Sequence, residues 1–347
     1  MPESNESIRN TKDLRRYIFS TQKQAYYIFN EDYTYEPTID TLESDLGILK
    51  YSNANIFNNK ENFNPEDCIV IEDNVCLLEV FPHYYHFLVD VLGKFLYINK
   101  FIPKAVPYIF LFNHTNLQWV KVDSLNRKSF RGNFSNVQFV EDVLASIKEK
   151  FPNAVISKKE LSNIPYIFNN LYTVDPHSIS ASDLKLKEHN LTENSPIASG
   201  LQHYKTIIDL LRETFLPNRE SKQNRNIFVT RSDNYKRSIT HLRELENFMQ
   251  NNGYEIINPD HLTFKEQIET FYDAKNIVAL SASSLTNTIW ANKDANIVNI
   301  PTQFNYQASE WRMIAYFLNL NYLEFYIDPD QIDLIIKNLS RLEYIWD

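Results

Sequence analysis

The chain has 347 residues, of which 43% are hydrophobic and 14% aromatic, which is typical of a globular protein with room for two domains of ordinary size. A net charge of −9 argues against a general nucleic-acid-binding protein, which needs a basic face, and gives no reason to expect broad attachment to anionic lipid. The two cysteines, Cys68 and Cys76, fit no redox or zinc spacing.

The first half of the chain predicts a peripheral segment followed by alternating strands and helices. The first residues are polar and acidic, and no run of about 18 apolar residues occurs, so we expect a soluble cytoplasmic protein without a signal peptide or membrane span. Residues 1–65 show few sustained patterns and are expected to form partly a peripheral subdomain. The predicted elements beyond them are strands at 68–71 and 75–80, a helix at 83–100, a strand at 106–112, a helix at 140–150 and a strand at 164–174.

The second half predicts repeated strand–helix units. Residues 176–200 are rich in Ser, Asn and Lys and are the best linker candidate. The predicted elements after it are a helix at 204–215, strands that begin near residues 226, 254, 276, 296 and 322, and a last helix at 329–342 that could cross back onto the first domain. The predicted fold class is therefore α/β, with an N-terminal domain over 1–195 and a C-terminal domain over 196–347 built on a parallel sheet.

The carboxyl ends of two predicted strands carry groups that suit an anion. The first strand of the second half runs into Arg231, with Lys236 and Arg237 a few residues on, and the third ends in Ser281-Ala282-Ser283-Ser284 before a predicted helix. Ligands of parallel sheets bind at these ends, where helix amides and arginine side chains hold phosphate groups. We therefore predict a phosphorylated ligand at this edge of the sheet.

Each of these groups also has a structural explanation. A charged run such as 231–237 is usually a solvated face. Ser283 or Ser284 can serve as the N-cap of the helix that contains Thr286 and Asn287, and capping competes with anion binding for the same amides. In the ligand hypothesis, Ser283, Ser284, Thr286 and Asn287 all contribute to binding.

A polar row on the predicted helix at 83–100 offers a candidate general base. In α-helical geometry His83, His86 and Asp90 fall on one face, with His86 and Asp90 as i, i+4 neighbours and Lys94 next in the row. A carboxylate oriented by an imidazole can take the proton of an attacking hydroxyl. The alternative is that Asp90 only pairs with Lys94 and His86 at the surface. A metal triad is geometrically possible, but the sequence offers no second shell for it, so we expect no metal.

A succession of short motifs runs through most of the chain in a fixed order. The motifs are His86-Phe87-Leu88-Val89-Asp90-Val91-Leu92, Arg231, Arg237, Gly253-Tyr254, Pro259, Phe264-Lys265-Glu266-Gln267, Ala274 and Leu285-Thr286-Asn287. This order, over about residues 80–325, resembles glycosyltransferase family 61. Two departures stand out: the family's His-Gly-Ala-Gly is Ser281-Ala282-Ser283-Ser284 here, and its Pro-Arg after the Asp helix is Gly93-Lys94.

The resemblance implies a GT-B-like fold, in which two Rossmann-like domains face a central cleft. It implies an inverting, metal-independent enzyme that moves a sugar from a nucleotide-sugar donor to a hydroxyl of a glycan or glycolipid acceptor. Asp90 would be the base and His86 its partner, and the C-terminal domain would hold the donor. The implied setting is capsule or other surface-polysaccharide assembly, with no cofactor and no nucleic-acid partner, and with peripheral membrane association only through the acceptor.

Two other functions remain open from the sequence. The lost glycines at 281–284 also fit a non-catalytic, glycosyltransferase-like scaffold in a polysaccharide complex. The row of His83, His86 and Asp90 fits a metal-dependent hydrolase. Asp328-Pro329-Asp330 resembles the metal-binding Asp-x-Asp of the other large glycosyltransferase fold, but its place in the last strand–helix turn favours an N-cap.

Overall fold

The computed structural model describes residues 20–21, 24–25, 27–29, 39–43, 48–57, 69–79, 84–101, 108–113, 121–122, 128–129, 136–152, 154–159, 166–174, 196–231, 241–300, 309–325 and 327–342. Within these ranges, side chains are described for Cys76, 84–85, 87–89, 91–100, 139–152, 154, 204–231, 241–300, 310–325 and 327–342. None of the helices in these ranges combines the length and the apolar character needed to cross a lipid bilayer.

Strands dominate the first half of the described chain, and strands and helices alternate in its second half. The α-helices are α1, which begins at Tyr84 and ends at Phe101, α2 (Asn136–Lys150), α3 (Pro196–Phe215), α4 (Leu242–Asn251), α5 (Phe264–Tyr272), α6 (Ser309–Leu318) and α7 (Ile332–Leu339). Two 3-10 helices cover Pro259–His261 and Ser283–Trp290. The strands of the first half are β1 (Ser20–Thr21), β2 (Gln24–Ala25), β3 (Tyr27–Phe29), β4 (Ile39–Glu43), β5 (Ile48–Phe57), β6 (Ile69–Glu79), β7 (Tyr108–Asn113), β8 (Lys121–Val122), β9 (Lys128–Ser129), β10 (Val155–Lys159) and β11 (Tyr166–Val174). Those of the second half are β12 (Arg225–Val229), β13 (Glu255–Ile257), β14 (Ala274–Leu280), β15 (Asn296–Ile300) and β16 (Asn321–Glu324).

The first sheet is mixed, and its parallel part has the Rossmann strand order. Strands β10, β7, β6 and β11 lie side by side and are parallel, which is the order 3-2-1-4 along the chain. Helix α1 connects β6 to β7, as a parallel crossover requires. On the other side of β11 the sheet continues with β5, which runs antiparallel and pairs with both β3 and β4.

The second sheet is parallel throughout its described strands. Its order is β13-β12-β14-β15-β16, which is 2-1-3-4-5 along the chain, the doubly wound arrangement of flavodoxin-like sheets. Consecutive strands alternate with helices, so both faces of the sheet are covered and its strands are apolar on both sides. The predicted α/β fold with two Rossmann-like sheets is confirmed by these two strand orders, as are the predicted strands near residues 226, 254, 276, 296 and 322.

The side chains of the second sheet divide between two cores. Ile227 and Ile277 belong to a core that also contains buried residues of α1, α3, α5 and the 3-10 helix at Ser283–Trp290. Phe228 and Val278, one residue further along each strand, point to the opposite face and pack with α4 and α7. The first core therefore joins α1, from the first half of the chain, to the second sheet.

Asparagine side chains form a ladder across the amino ends of the second sheet. Asn276 donates to the Oδ1 of Asn226 at 2.8 Å, Asn296 donates to that of Asn276 at 2.7 Å, and Asn321 donates to that of Asn296 at 2.9 Å. The same residues face each other in the strand register, so the ladder fixes the alignment of β12, β14, β15 and β16. It lies at the edge opposite the predicted ligand site.

Helix α1 departs from regular α-helical geometry in its middle. It begins as an α-helix at Tyr84–His86, has π-helical hydrogen bonding over Phe87–Leu92, and is α-helical again over Gly93–Phe101. In a π-helix each hydrogen bond spans five residues, not four. The predicted i, i+4 relation between His86 and Asp90 assumed a regular α-helix, whereas the structure gives π-helical hydrogen bonding from Phe87 onward.

Several other expectations about elements are corrected. The two strands predicted at 68–71 and 75–80 are the single strand β6, and residues 1–65, expected to be partly peripheral, include β5, which pairs directly with β11. Helix α3 begins at Pro196, inside the predicted linker, because proline is favoured in the first turn of a helix. The last helix was expected to be able to cross back onto the first domain. Instead, α7 packs beside α4 on the second sheet.

Candidate functional site

The strand order of the second sheet places a crevice between β12 and β14. The chain leaves β12 toward β13 on one side and reaches β14 on the other, so the connections diverge at the carboxyl ends of these strands. Open α/β sheets bind their ligands at such a switch point. A pocket that is partly open to solvent lies there.

Both halves of the chain contribute to this pocket. Its wall from the second half consists of the segments that follow β12, β13 and β14. Its wall from the first half consists of the start of α1 and one face of α2. The lining residues are Tyr84, Phe139, Asp142, Thr230, Arg231, Asn258, Pro259, Asp260, Leu262, Gln267, Ala282, Ser283, Ser284 and Asn287.

Arg231 supplies positive charge at the centre of the sheet edge. It follows β12, and its Nη2 donates to the backbone carbonyl of Ser281 at 2.7 Å, which draws the guanidinium toward the end of β14. A guanidinium carries five N–H donors in a planar fork, so it can bond more than one acceptor at once. The sequence prediction that Arg231 and the serine turn come together is confirmed by this contact.

The serine turn begins a 3-10 helix that has no side-chain cap. The N-cap position is Ala282, in extended conformation, and no side chain caps the helix. The first turn bond runs from the Leu285 amide to the Ala282 carbonyl at 2.9 Å, so the amides of Ser283 and Ser284 precede it at the pocket wall. The sequence allowed Ser283 or Ser284 to cap an α-helix, but the helix is a 3-10 helix and neither serine caps it. Capping therefore does not compete with anion binding for these amides.

Thr286 and Asn287 lie deeper than predicted. Both are fully buried, and Thr286 does not line the pocket; its hydroxyl has no hydrogen-bond partner among the described residues. Asn287 lines the pocket floor and donates from Nδ2 to Oε1 of Gln267 at 3.0 Å. Gln267 in turn donates to the carbonyls of Pro259 and Leu262, each at 3.1 Å. The amide pair thus ties the 3-10 helix to the turn after β13.

Tyr84 connects this network to the first half of the chain. Its hydroxyl donates to Oδ1 of Asn287, which also accepts from the indole nitrogen of Trp290 at 3.1 Å. Tyr84 is half-buried by area, but its hydroxyl is enclosed. Burial raises its pKa, and the hydrogen bonds with Trp290 and Asn287 oppose that rise only in part. The phenol is therefore a neutral donor, and the start of α1 is fastened to the floor of the pocket.

Arg212 of α3 holds the other end of the same 3-10 helix. Its Nη1 donates to the carbonyls of Ile289 and Ala291, the latter at 2.7 Å. A cation at the carboxyl end of a helix complements its dipole, whose positive end here faces the pocket. Desolvation by burial lowers the pKa of Arg212, while Tyr272 and Asp209 raise it. The helix that presents the Ser283 and Ser284 amides is thus fixed at its middle and at its end.

Asp260 and Asp142 bring carboxylates to the pocket, and the sequence prediction missed both. Asp260 follows Pro259 after β13; it is exposed by area, but desolvation is the larger influence on its carboxyl and raises its pKa, while His261 and Arg231 lower it. Asp142 reaches the wall from α2. The position of Asp260 at a strand end was readable from the sequence. That of Asp142 depends on how α2 packs and had no sequence signal.

Four predicted site residues have side chains outside the described part of the chain. Lys236 and Arg237 fall in 232–240, which lies outside the described residues altogether. His86 and Asp90 have described backbones in α1, but their side chains are not among those described. Their roles stay predictions. Among the described residues, no group of His, Cys, Asp and Glu side chains is arranged to hold a metal ion.

Comparison with known families assigns the chain. The family model for Glycosyltransferase 61 matches residues 84–298, well over half of the sequence. The chain belongs to glycosyltransferase family 61. The match begins at Tyr84 and extends through the pocket-forming segments to β15, so this family member is a glycosyltransferase, as the sequence predicts. Its two Rossmann-like sheets, with a pocket lined from both halves of the chain, give it the expected GT-B-like fold.

The solved structures that match this family member share little of its sequence and have low TM-scores. The E. coli heptosyltransferase WaaC with ADP is 9% identical, with 79% of this chain and 100% of that chain covered and a TM-score of 0.33. The iron-containing dodecameric glycosyltransferase TibC of enterotoxigenic E. coli is 11% identical, with 83% and 82% covered and a TM-score of 0.34. A flavo di-iron protein mutant from Thermotoga maritima is 10% identical, with 88% and 99% covered and a TM-score of 0.25. No curated protein sequence matches the chain.

Proposed function

We propose that this family 61 glycosyltransferase is an inverting, metal-independent enzyme that takes its sugar from a nucleotide-sugar donor. The acceptor would be a hydroxyl of a glycan or glycolipid, in the assembly of capsule or another surface polysaccharide in the cytoplasm. Membrane association would then come through a lipid-linked acceptor.

The observation that carries the proposal is the pairing of Arg231 with the serine turn at the switch point. Arg231 bonds the carbonyl of Ser281, so its charge lies beside the amides of Ser283 and Ser284. A departing nucleoside diphosphate gains negative charge in the transition state, and arginine and helix amides can stabilise that charge without a metal ion. Lys236 and Arg237 would add to the positive charge from the segment that follows.

The proposed chemistry needs one base on the acceptor side. The acceptor oxygen attacks the anomeric carbon, the bond from that carbon to the diphosphate oxygen breaks, and the acceptor proton passes to the base. Asp90 of α1, oriented by His86, is the proposed base. Helix α1 begins at Tyr84, which lines the pocket, so this helix is one of the two elements of the first half that reach the donor site.

The donor site can be tested by thermal shift with ADP, GDP, UDP, CDP and their sugar conjugates. A ligand that binds only the native state raises the melting temperature, by an amount that grows with the logarithm of its concentration over Kd. We expect one nucleoside diphosphate to stabilise the protein. If none does at millimolar concentration, the donor-site assignment fails.

The base can be tested with Asp90→Asn. The amide keeps the size of the side chain, so donor affinity and melting temperature should change little, while transfer falls at least about 10²-fold. Asp142→Asn is the matched variant, since Asp142 is the described carboxylate of the first half that lines the pocket. Near-normal turnover by folded Asp90→Asn removes Asp90 from the mechanism. Loss of transfer in Asp142→Asn alone transfers the role to α2.

Metal independence has its own measurement. Protein purified without chelator should contain no stoichiometric zinc, iron or manganese, and its transfer rate should be unchanged after EDTA treatment. Stoichiometric metal whose removal abolishes activity would instead support a site at His83, His86 and Asp90.

A further inference from the structure

Arg212 of α3 is a half-buried cation behind the 3-10 helix that begins at the serine turn. Its Nη1 donates to the carbonyl of Ile289 and, at 2.7 Å, to that of Ala291. Among the described residues, no carboxylate lies within ion-pair distance of this guanidinium. Asp209, one turn earlier in α3, is paired instead with Lys205 at 2.6 Å. The charge of Arg212 is therefore placed against the helix end alone.

A positive charge is more than the bonding of two carbonyls requires. Desolvation by burial lowers the pKa of the Arg212 guanidinium, although Tyr272 and Asp209 oppose that change. A buried charge without an ionised partner is unfavourable, whereas a neutral amide side chain could donate to the same carbonyls. Two other arginines of the second half, Arg219 and Arg225, are each paired with a carboxylate. The unpaired charge of Arg212 thus indicates a role beyond hydrogen bonding.

The 3-10 helix connects Arg212 to the donor site through the protein interior. Its residues from Leu285 to Trp290 are each exposed by 1% or less. At a rise of about 2.0 Å per residue, its eight residues separate the two ends by roughly 16 Å. Its positive end, at Ser283 and Ser284, lies at the pocket wall, and its negative end is the pair of carbonyls that Arg212 bonds.

A cation at the negative end of a helix strengthens the attraction of the positive end for an anion. The partial negative charge at the carbonyl end opposes an anion at the other end, and a guanidinium bonded to these carbonyls cancels it. Charges that act through buried, low-dielectric surroundings are screened less by salt than exposed charges at the same distance. Arg212 can therefore act on the pocket although it does not line it.

We propose that Arg212 is a positioning residue of the donor site, which raises the affinity of the serine turn for the donor's diphosphate through the 3-10 helix. The inference rests on the proposed function, since it requires the diphosphate to lie at this turn. Because the effect is electrostatic, it grows with the negative charge of the ligand. Arg212 thus increases the preference of the site for a nucleoside diphosphate over a monophosphate, and for a monophosphate over a nucleoside.

Two substitutions separate the charge of Arg212 from its hydrogen bonds. Arg212→Gln keeps an amide donor for the carbonyls and loses the charge, whereas Arg212→Lys keeps the charge and loses the planar fork. The matched control is Lys293→Gln, which removes an equal charge from an exposed side chain two residues beyond Ala291. Melting temperatures show which variants are folded.

The measurement is calorimetric titration of the full-length chain with ligands of increasing charge. The ligands are the diphosphate that binds most tightly among ADP, GDP, UDP and CDP, its monophosphate and its nucleoside. We expect Arg212→Gln to bind the diphosphate about fivefold or more weakly than the wild type, in the range of charge effects at helix ends. The loss should be smaller for the monophosphate and absent for the nucleoside. Arg212→Lys and Lys293→Gln should stay within about twofold of the wild type for all three ligands.

Three outcomes overturn the inference and leave the donor site standing. The first is a loss in Arg212→Gln that is absent or equal for all three ligands. The second is a loss of diphosphate affinity in Arg212→Lys or Lys293→Gln as large as that in Arg212→Gln. If Arg212→Gln does not fold, Arg212→Met takes its place, and the third outcome is that neither neutral variant folds, since the charge then serves the fold itself. If no nucleoside diphosphate binds the wild type, the donor site fails, and this inference with it.

Discussion

At the scale of single residues, Arg231 is the one cation of the predicted donor site, among Arg231, Lys236 and Arg237, whose place the structure describes. Its bond to the Ser281 carbonyl holds it against the end of β14. Arg231→Ala should weaken donor binding and reduce transfer together by about 2–3 kcal/mol, as for the loss of charge-assisted hydrogen bonds to a phosphate. Arg231→Lys should recover only part of this, because an ammonium cannot reproduce the planar fork. Donor Kd and initial rates measure both effects.

A matched control for Arg231 lies at the other end of the same strand. Arg225 begins β12 and is paired with Glu255 through two hydrogen bonds, at 3.0 and 2.7 Å. Arg225→Ala should lower stability modestly and leave donor Kd unchanged. Equal losses of donor affinity in both alanine variants would mean that Arg231 acts through the general positive potential and not through contact.

Residue-level prediction from the sequence succeeded where the position was set by a strand end. Arg231 and Ser283 were found because both follow short apolar strands of one parallel sheet. Tyr84 and Asp142 were missed because helix packing, which has no local signature, brings them to the pocket. The cap predicted at Ser283 or Ser284 failed because tertiary contacts of Asn287 and Arg212 set a 3-10 helix there.

At the scale of secondary-structure elements, the packing of α1 on α3 depends on a glycine. A Cβ on Gly93 would overlap Cγ2 of Ile207, which is fully buried. Gly93→Ala should therefore destabilise the protein by about 1–3 kcal/mol, the usual range for overpacking a core. Urea unfolding measures this. Ile207→Ala removes the overlapping methyl, so the double variant should be less destabilised than the sum of the two single changes. Additive costs would show that the helices separate freely at this point.

The C-terminal end of α5 is expected to make stability depend on pH. Asp273 accepts from both Nη atoms of Arg219, at 2.7 and 2.8 Å, and from the Lys222 amide at 3.0 Å. The hydrogen bonds of Arg219 hold the pKa of this carboxyl below its ordinary value, against desolvation. A carboxyl whose pKa is lowered in the folded state stabilises it fully above the unfolded-state pKa of about 3.9, and this contribution is lost as pH falls through the lower folded-state value.

Asp273→Asn should accordingly destabilise the protein by about 1–2 kcal/mol at pH 7, a range that allows for the partial exposure of Arg219. The difference in unfolding free energy from the wild type should narrow as pH falls below about 4. Urea unfolding from pH 7 to pH 2.5 checks the prediction. A difference that stays constant over this range would show that the ion pair contributes nothing that depends on the charge of Asp273.

Elements were predicted well where the pattern was local and poorly where pairing was distant. The strands β12 to β16 are short apolar runs at regular spacing, and all five lie close to their predicted starts. Strand β5 is rich in Asn and owes its place to pairing with β11, more than a hundred residues away. The π-helical segment of α1 likewise carries no periodic signal.

At the scale of the whole molecule, the hydrogen bond from Tyr84 to Asn287 joins the helix that carries Asp90 to the helix that presents the serine amides. If transfer requires these two helices to keep a fixed relative position, loss of this hydrogen bond should reduce turnover more than donor binding. Tyr84→Phe removes the hydroxyl and leaves Asn287 bonded to Trp290 and Gln267. We expect a stability loss of about 1 kcal/mol, little change in donor Kd, and a clear fall in turnover per folded molecule.

The neighbouring residue provides the control for this prediction. The hydroxyl of Tyr85 donates to that of Tyr204 at 3.3 Å in the buried contact of α1 with α3, away from the pocket lining. Tyr85→Phe removes the same group from the same helix and should cost similar stability, but its turnover per folded molecule should match the wild type. Turnover, donor Kd and urea unfolding are compared for both variants. Equal turnover in Tyr84→Phe and Tyr85→Phe would show that the hydroxyl of Tyr84 serves only the stability of the fold. A loss confined to Tyr84→Phe would show that the donor helix and the helix of the proposed base act as one unit.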